Sequence, residues 1–447
     1  MYTDPRTAQL MIIGIQLAGT HGAHPGAWRM PQADPNGYAD IDTAVRHAQV
    51  ADRGGLQFIF VPDRPLLDAD LSQGPPRFQM EPMLLLTAIA RATERIGLVP
   101  SMSTSLTEPY TLARQLKALD VISHGRAGWN AIATNDPAAF ANYGKSMPPR
   151  LEKYERLHET IPIVQALWGS WEYEAGAPDK NGRFADPAHV RPVELQGQHV
   201  GARGPLPIPP SEQGQPVIVQ AGGGGLGLQA AAMYADVIVG MATSIEDGQA
   251  YRKAIHQAVT QAGRDPKTVK LVMFVTFSLG DTVREALDRR RELDARVDER
   301  PRMAELGALL GTRIDPSRFD APLPAGLLDA DSSPSPDPRA ARARRLAREG
   351  WSPRDVIAHG ALDHTPGLAG TPADAADFLQ RYVDAGAADG FILSLDAHED
   401  GLPAFVDKVL PLLRERGRFG AADDEPTLRE RLGGPAQYGL RPRQFGN

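Results

Sequence analysis

The 447-residue sequence contains no cysteine. Disulfide bonds, thiolate nucleophiles, iron-sulfur clusters and cysteine-ligated zinc are therefore excluded, so any chemistry depends on histidines, carboxylates, hydroxyls, arginines or a bound cofactor. An excess of positive charge is lacking too, because 48 basic residues stand against 55 acidic ones. A net charge of -7 gives no attractive field for a phosphate backbone, and we expect no nucleic-acid partner.

Long apolar runs are also missing. The one apolar run near the amino terminus, 10–17, is not preceded by a basic segment and is not typical of a signal peptide. No run elsewhere reaches the roughly 18 apolar residues of a membrane-spanning helix. We therefore expect a cytoplasmic protein without a membrane partner. Hydrolase and nucleoside-triphosphatase motifs, G-x-S-x-G and the Walker loop, are absent as well.

What is present is a regular alternation of short apolar runs and longer segments of helical period, which is typical of a parallel sheet with crossover helices. Eight strands are predicted, at 11–16, 57–61, 96–100, 127–133, 216–221, 237–241, 269–277 and 391–395. Eight helices are predicted, at 41–53, 83–93, 110–122, 151–168, 226–235, 245–262, 373–387 and 402–416. This pattern predicts an α/β fold of the (β/α)8 or TIM-barrel type as a single domain over 1–447, with a doubly wound sheet as the alternative.

Two long insertions interrupt the alternation. The first, 169–215 after the fourth helix, is rich in proline and is predicted to cross the barrel mouth. The second, about 281–370 after the seventh strand, contains a charged helix, a Pro/Asp/Ser-rich stretch at 315–338 and an arginine-rich helix at 340–349 with a solvated face. We expect it to form a small helical subdomain whose 315–338 stretch has few apolar side chains to bury and acts as a mobile lid. Residues 417–447 are a C-terminal extension.

The residues that follow each strand are the candidates for chemistry, because a barrel of this type builds its site there. Asp63 follows the second strand and either binds a ligand or caps a turn. Ser101, Ser103 and Ser105 follow the third strand, where hydroxyls line a polar pocket or solvate a turn.

Four consecutive glycines, Gly222 to Gly225, join the fifth strand to its helix. Glycines let the backbone approach a ligand closely, and the free N–H groups of the helix end favour a phosphate. The turn therefore predicts a phosphate-bearing cofactor. The alternative is a tight turn that only needs positive φ.

Histidines do not form a recognisable metal motif. Those near strand one and in the second insertion are His21, His24, His359 and His364, and none pairs at i, i+4 with a supporting glutamate. We expect no metal site.

Several stretches together resemble the bacterial luciferase-like flavin monooxygenases, in particular the branch with nitrilotriacetate, dibenzothiophene sulfone and long-chain alkane monooxygenases. They are HPGAWRMPQADP at 24–35, ATERIGLVPSMSTSLTEPYTLAR at 92–114, SHGRAGWN at 123–130, GPLPIPPSEQGQPVIVQA at 204–221, GTPADAADFLQRYVDAGAADG at 370–390 and TLRERLG at 427–433.

The resemblance implies a two-component monooxygenase. Its cofactor would be FMN, used as FMNH2 and delivered by a separate NAD(P)H:flavin reductase. The reduced flavin would react with O2 to a 4a-hydroperoxide that passes one oxygen atom to a small organic substrate. The resemblance also implies a homo-oligomer formed through outer helices. It names neither the substrate nor an acid-base residue.

The same resemblance assigns cofactor contacts to particular residues. Asp63 matches an aspartate that contacts FMN, Ser101 a hydroxyl residue beside the isoalloxazine, and Asn130 a strand end that faces the pocket. Tyr154 matches the tyrosine of an H-x-x-x-Y phosphate motif, and Gly223 and Gly224 fall in the phosphate turn.

Three positions depart from the family pattern. Arg150 replaces the histidine of the phosphate motif, where a guanidinium still pairs with phosphate. Gly224 replaces a serine, and Ala133 replaces the threonine expected at the flavin edge. One alternative is a flavin- or deazaflavin-dependent dehydrogenase of the same superfamily, although the GWN motif and the tail motif argue against it. The substitutions at Ala133 and Gly224 leave a second alternative open, a non-catalytic flavin-binding protein.

Overall fold

Eight parallel strands close into a barrel in the computed structural model, which describes residues 10–19, 21–77, 80–328, 337–420 and 426–438. All described strands, in chain order, are β1 (Ile12–Gln16), β2 (Phe58–Val61), β3 (Gly97–Ser103), β4 (Gly128–Ile132), β5 (Leu195–Gln196), β6 (Gly201–Ala202), β7 (Val217–Ala221), β8 (Val237–Gly240), β9 (Lys270–Leu279), β10 (Gly367–Gly370) and β11 (Gly390–Leu393). The barrel order is β1-β2-β3-β4-β7-β8-β9-β11, and β11 pairs back to β1. The predicted (β/α)8 barrel is confirmed, and each predicted strand overlaps a barrel strand.

Helices surround this barrel. They are α1 (Ile41–Arg53), α2 (Pro82–Ala92), α3 (Pro109–Ile122), α4 (Pro137–Asn142), α5 (Arg150–Trp168), α6 (Gly224–Tyr234), α7 (Ile245–Gln261), α8 (Val283–Asp294), α9 (Glu299–Leu310), α10 (Ala325–Leu328), α11 (Arg339–Arg348), α12 (Pro353–Ala358), α13 (Pro372–Asp384), α14 (His398–Ala404), α15 (Leu410–Glu415) and α16 (Leu428–Arg431). A π-turn, Phe405–Val409, joins α14 to α15. No helix in the described ranges has the length and apolarity needed to cross a membrane.

Successive side chains along each strand point alternately into the barrel and outward, which divides the core into two layers. One set of strand residues fills the barrel interior, including Phe58, Val99 and Val219. The neighbouring set, such as Ile59 and Trp129, packs outward against the helices. Strand parity therefore decides which side chains face the barrel interior.

The base of the barrel is closed by the C-terminal segment. Leu428 of α16 belongs to the interior cluster and is fully buried. Glycines at the starts of β3 and β4 leave room for it, because a Cβ on Gly97 would lie 2.6 Å from a Leu428 methyl carbon. Arg429 adds an ion pair to Asp236 at 3.1 Å just before β8.

The first insertion does not cross the barrel mouth, so that prediction is wrong. It starts where α5 ends, at the amino-terminal side of the barrel, and runs along the outside of α5 and α3. Glu159 of α5 accepts hydrogen bonds from the backbone N–H groups of residues 198–200 at 2.7–3.0 Å. Ser211 donates a hydrogen bond to Asp120 of α3. A loop between a barrel helix and the next strand lies at that end, which is the physical reason for the difference.

The second insertion contains α8 to α12, of which α9 to α12 surround a hydrophobic cluster of their own. Its predicted charged helix is interrupted between α8 and α9. The strand β10 pairs with the upper half of β9, so an extra strand lies where only helices were predicted.

The expectation that the 315–338 stretch buries few apolar side chains is wrong, while its action as a mobile lid stays a prediction. In the part that is described, Phe319, Leu323 and Leu328 are buried in the insertion's hydrophobic cluster, so apolar burial attaches this stretch to the helices. Residues 329–336 lie outside the described residues.

Candidate active site

Ser101 and Asn130 meet at the carboxyl-terminal side of the barrel. They are register partners on β3 and β4, and both are buried. Asn130 Nδ2 donates a hydrogen bond to Ser101 Oγ at 2.7 Å. Asn130 Oδ1 is buried without a hydrogen-bond partner among the described residues. A buried acceptor left free is costly, and it points to a donor supplied by a bound molecule.

Further hydroxyl groups lie beside this pair. Thr134 Oγ1 donates to Ser103 Oγ at 2.7 Å, and the Ser105 hydroxyl is buried without a partner in the described ranges. Ala133 packs against the layer between strands and helices, which accords with the parity of β4. The hydroxyl at this edge therefore comes from Thr134, one residue later than the family pattern suggested.

The glycine turn forms an open cradle after β7. Gly224 and Gly225 have φ of 60° and 24°, a region that favours glycine. Cβ atoms built on Gly223, Gly224 and Gly225 would meet nothing within 4 Å. The Tyr251 hydroxyl donates to the Gly222 carbonyl at 2.5 Å and fixes the turn to α7. The turn is therefore attached to α7 at Gly222 and has room for a bound group at Gly223 to Gly225.

Tyr154 and Arg150 of α5 lie at the same turn. The Tyr154 hydroxyl is 3.1 Å from the place of a Cβ on Gly227, in the first turns of α6. The Arg150 guanidinium carbon is 5.9 Å from the centre of the Tyr154 ring. Arg150 is exposed, and no described carboxylate pairs with it. We name Arg150, Tyr154, Gly223, Gly224 and Gly225 the anion corner, because one guanidinium, one hydroxyl and a helix start converge there.

Lys153 was missed by sequence reasoning. It is buried, and its Nζ donates to the Thr134 carbonyl at 3.2 Å and to Asn135 Oδ1 at 2.6 Å. Burial, and then the nearby Arg150, lower the pKa of Lys153. Lys153 attaches α5 to the end of β4. The sequence does not indicate this contact, because Lys153 lies among other charged residues of a helix.

Asp63 lies half-buried after β2. Burial, and then the like charge of Glu81, raise the pKa of Asp63 from 3.8 to about 6. Its neighbour Arg64 does not neutralise it, because Arg64 Nη2 donates to Asp136 at 2.7 Å. Asp63 is therefore a carboxyl group that titrates near neutral pH at the edge of the site.

This raised pKa predicts a pH-dependent stability. A carboxyl whose folded-state pKa is raised contributes stability below its unfolded pKa of 3.8 that is lost as pH rises through about 6. Relative to the wild type, Asp63→Asn is therefore expected to gain melting temperature as pH rises from about 4 to about 7. The measurement is thermal unfolding of both proteins across that range.

Asp70→Asn is the matched control. Hydrogen bonds from Ser72 lower the pKa of the exposed Asp70 below 3.8, so its replacement should change relative stability only in the acid range below about 4 and give no relative gain between about 4 and about 7. If Asp63→Asn shows no relative gain with pH, the Asp63 carboxyl titrates in its ordinary range.

The four singled-out histidines do not converge. His24 is buried, with Nε2 3.0 Å from Asp294 Oδ1 in the second insertion, while His21 contacts the Asp34 carbonyl at 2.8 Å. His359 packs on Trp351, and His364 lies beside Arg339. Among the described residues, the structure brings together one group of possible metal ligands that the sequence did not predict. It lies in the first insertion and consists of Glu172, Glu174 and His189. In it His189 Nδ1 already pairs with Glu172 at 2.7 Å.

Comparison with known proteins gives consistent matches over nearly the whole chain. Residues 13–389 match the family described as luciferase-like monooxygenase. N-acetyl-S-(2-succino)cysteine monooxygenase of Bacillus subtilis is 34% identical over 430 residues, covering 94% of this chain and 96% of that protein. Nitrilotriacetate monooxygenase component A of Aminobacter aminovorans is 34% identical, covering 92% and 94%. The solved EDTA monooxygenase from Chelativorans sp. BNC1 has a TM-score of 0.81 at 31% identity, covering 96% of this chain and 99% of that one.

Proposed function

This chain belongs to the luciferase-like monooxygenase family, whose members are flavin-dependent oxidoreductases, and on that premise we propose that it uses FMNH2 and O2 to oxygenate a small organic substrate. The observation that carries the proposal is the anion corner at the carboxyl-terminal side of the barrel. The anion corner has open space above its glycines, it contains the Arg150 guanidinium and the Tyr154 hydroxyl, and it lies at the start of α6. These features suit the phosphate of FMN.

The buried polar atoms of the barrel mouth suit the flavin ring. The free Asn130 Oδ1 is an acceptor for a ring N–H, and the Ser101 hydroxyl beside it keeps the amide in place. The hydroxyls of Ser103 and Thr134 extend this polar edge. Asp63 adds a carboxyl group at the rim, after β2. We propose these residues as the ring contacts.

Bound reduced flavin supplies two electrons to O2, so that one oxygen atom enters the substrate and the other leaves as water. The protein's part is to bind, orient and shield. The anion corner anchors the phosphate, Asn130 and Ser101 fix the ring, and the apolar barrel interior excludes water from one side. We propose that the second insertion shields the opposite side, held to the barrel by the ion pairs of Arg289 with Asp396 and Asp400.

A separate reductase that delivers FMNH2 belongs to the same proposal. The relative from Aminobacter aminovorans is named as component A, which supports a second component for this chain as well. We also propose that the protein forms a homo-oligomer, as the family resemblance implies.

Isotope incorporation tests the function directly. Purified protein is supplied with a flavin reductase, NADH, FMN and 18O2, and a panel of amines, sulfones and polycarboxylates is screened by mass spectrometry. The proposal requires one 18O atom in a product and water as the second oxygen product. Hydride transfer without oxygen uptake would instead establish the dehydrogenase alternative, and flavin binding without any turnover would establish the non-catalytic one.

Gly223→Ala tests the anion corner. Gly223 has φ of −83°, so alanine is not strained there, and its methyl group would project into open space. We expect the melting temperature to stay unchanged while FMN binds about tenfold more weakly, because the methyl group crowds the phosphate and one charge-assisted bond accounts for about 1.5–3 kcal/mol. Equilibrium dialysis measures the affinity.

Gly326→Ala is the control, since it also adds a methyl group in open space, but in the second insertion. Equal FMN affinity in wild type and Gly223→Ala would place the phosphate elsewhere.

A further inference from the structure

One methionine is exposed at the mouth of the barrel. Met241 directly follows β8 and is 63% exposed, the largest fraction among the methionines that the structure describes. Its neighbours Gly240 and Ala242 are both buried. The Met241 side chain is therefore uncovered at a place where the chain on either side of it is packed.

The neighbours of Met241 show which way its side chain points. A Cβ on Gly240 would lie 2.8 Å from the Tyr251 ring of α7, and Ala242 packs in the layer between strands and helices. Val239, two residues before Met241, belongs to the barrel interior. Because side chains alternate along an extended chain, Met241 points over the barrel opening and away from α7.

Met241 lies beside the glycine turn of the anion corner. Ala221 and Val239 are register partners on β7 and β8, so Gly223 and Met241 occupy corresponding positions two residues further on. Neighbouring parallel strands lie about 5 Å apart, which places Met241 next to the turn. Tyr251 borders both segments, since it also donates to the carbonyl at the start of the glycine turn. A molecule bound above the glycines would contact the Met241 thioether.

A thioether in this position can react with peroxide. Hydrogen peroxide transfers one oxygen atom to the sulfur, and the products are one sulfoxide and one water molecule. In the proposed function, reduced flavin that passes two electrons and two protons to O2 without a substrate yields oxidised flavin and hydrogen peroxide. That peroxide would form beside Met241.

The two other exposed methionines lie in different surroundings. Met233 is 47% exposed, but it lies in the last turn of α6, whereas the glycines lie at the start of that helix. Met147 is 36% exposed, and its Sδ atom accepts from Lys153 Nζ at 3.6 Å. Met241 thus combines an exposed, unengaged sulfur with a place at the barrel mouth.

We propose that Met241 is a modification site, where peroxide formed at the barrel mouth converts the thioether to the sulfoxide. The inference rests on the proposed function, because bound flavin supplies the peroxide. Oxidation turns an apolar side chain into a polar one whose oxygen is a hydrogen-bond acceptor. Beside the turn that would hold a phosphate, this oxygen repels the anion and weakens flavin binding. Turnover without substrate therefore limits itself.

The test uses the full chain with a flavin reductase, NADH, FMN and O2, without substrate, and with catalase to destroy peroxide that escapes into solution. Peptide mass spectrometry should find about fivefold or more sulfoxide at Met241 than at Met233, although their exposed fractions of 63% and 47% are similar. In a second arm, hydrogen peroxide is added without flavin. Both methionines should then be oxidised to within about twofold of each other, because exposure alone decides the rate.

Met241→Leu tests the consequence for flavin, because leucine keeps the apolar volume and removes the sulfur. After turnover without substrate, wild type and the control Met233→Leu should bind FMN about fivefold more weakly than before, whereas Met241→Leu should keep its starting affinity. Equilibrium dialysis measures the affinity. The mass spectrometry needs no variant and stays decisive if Met241→Leu fails to fold.

Three results would each overturn the proposal: equal oxidation of Met241 and Met233 during turnover, the same preference for Met241 in added peroxide, or an oxidised wild type with unchanged FMN affinity. The 18O experiment separates this inference from the proposed function. Labelled product together with unmodified Met241 after substrate-free turnover would overturn this inference alone. Preferential Met241 sulfoxide without any labelled product would support it and would count against oxygenation of an external substrate.

Discussion

Leu428→Ala is expected to lower the free energy of unfolding by about 3–5 kcal/mol. The side chain is fully buried at the barrel base, between strands that start with Gly97 and Gly128. Strands joined by hydrogen bonds cannot collapse around the missing atoms, so the cavity stays and the cost is at the upper end for a leucine. Urea unfolding monitored by tryptophan fluorescence measures the change.

Leu84→Ala is the matched control, because Leu84 lies on α2 with its side chain largely exposed. It should change the free energy of unfolding by less than about 0.5 kcal/mol. Similar losses for Leu428→Ala and Leu84→Ala would mean that the C-terminal segment contributes nothing to the barrel core.

The second large effect concerns the contact between the second insertion and the barrel. Arg289 of α8 donates to both oxygens of Asp396 at 2.9 Å, and it also pairs with Asp400. Asp396 follows β11 and is 1% exposed. Asp396→Ala removes two charge-assisted hydrogen bonds and leaves Arg289 with Asp400 as its remaining partner, so it should cost about 1.5–3 kcal/mol.

We expect the loss of the Arg289–Asp396 ion pair to destabilise the second insertion before it destabilises the barrel. Hydrogen exchange should become faster in α8 and α9, and flavin turnover should release more hydrogen peroxide for each substrate molecule oxygenated. Asp288→Ala is the control, since Asp288 lies on the same helix but pairs with Arg284 and Arg291 at the surface. Surface pairs contribute about 0–1 kcal/mol, so the control should behave as wild type. Unchanged exchange in Asp396→Ala would show that the insertion is held by other contacts.

Composition alone gave the wrong account of this insertion. The 315–338 stretch is polar on average, yet three of its four large apolar residues, Phe319, Leu323 and Leu328, pack in the cluster. A single buried phenylalanine or leucine outweighs several exposed serines, because exposed polar residues add little to stability. The charged contact through Arg289 joins residues far apart in the sequence, which a local pattern does not reveal.

The barrel strands could be predicted because each is an apolar run bounded by polar segments. The strand β10 was missed because its sequence, GLAG, has no β-branched residue and begins and ends with glycine. Ser101 and the glycine turn could be singled out because they follow predicted strands directly, whereas Asn130 was assigned only through the family resemblance. Lys153 could not be found, since its contact with Thr134 depends on how α5 lies across the end of β4.

Closing the barrel base with residues near the C-terminus has a consequence for biosynthesis. Translation runs from the amino terminus, so β1 emerges first, whereas its partner β11 and the closing Leu428 are made after all the other barrel strands. The nascent chain therefore cannot complete its barrel until residue 428 has been synthesised. A ribosome that stalls before residue 428 leaves a product with an open, apolar base, a surface that chaperones and proteases recognise.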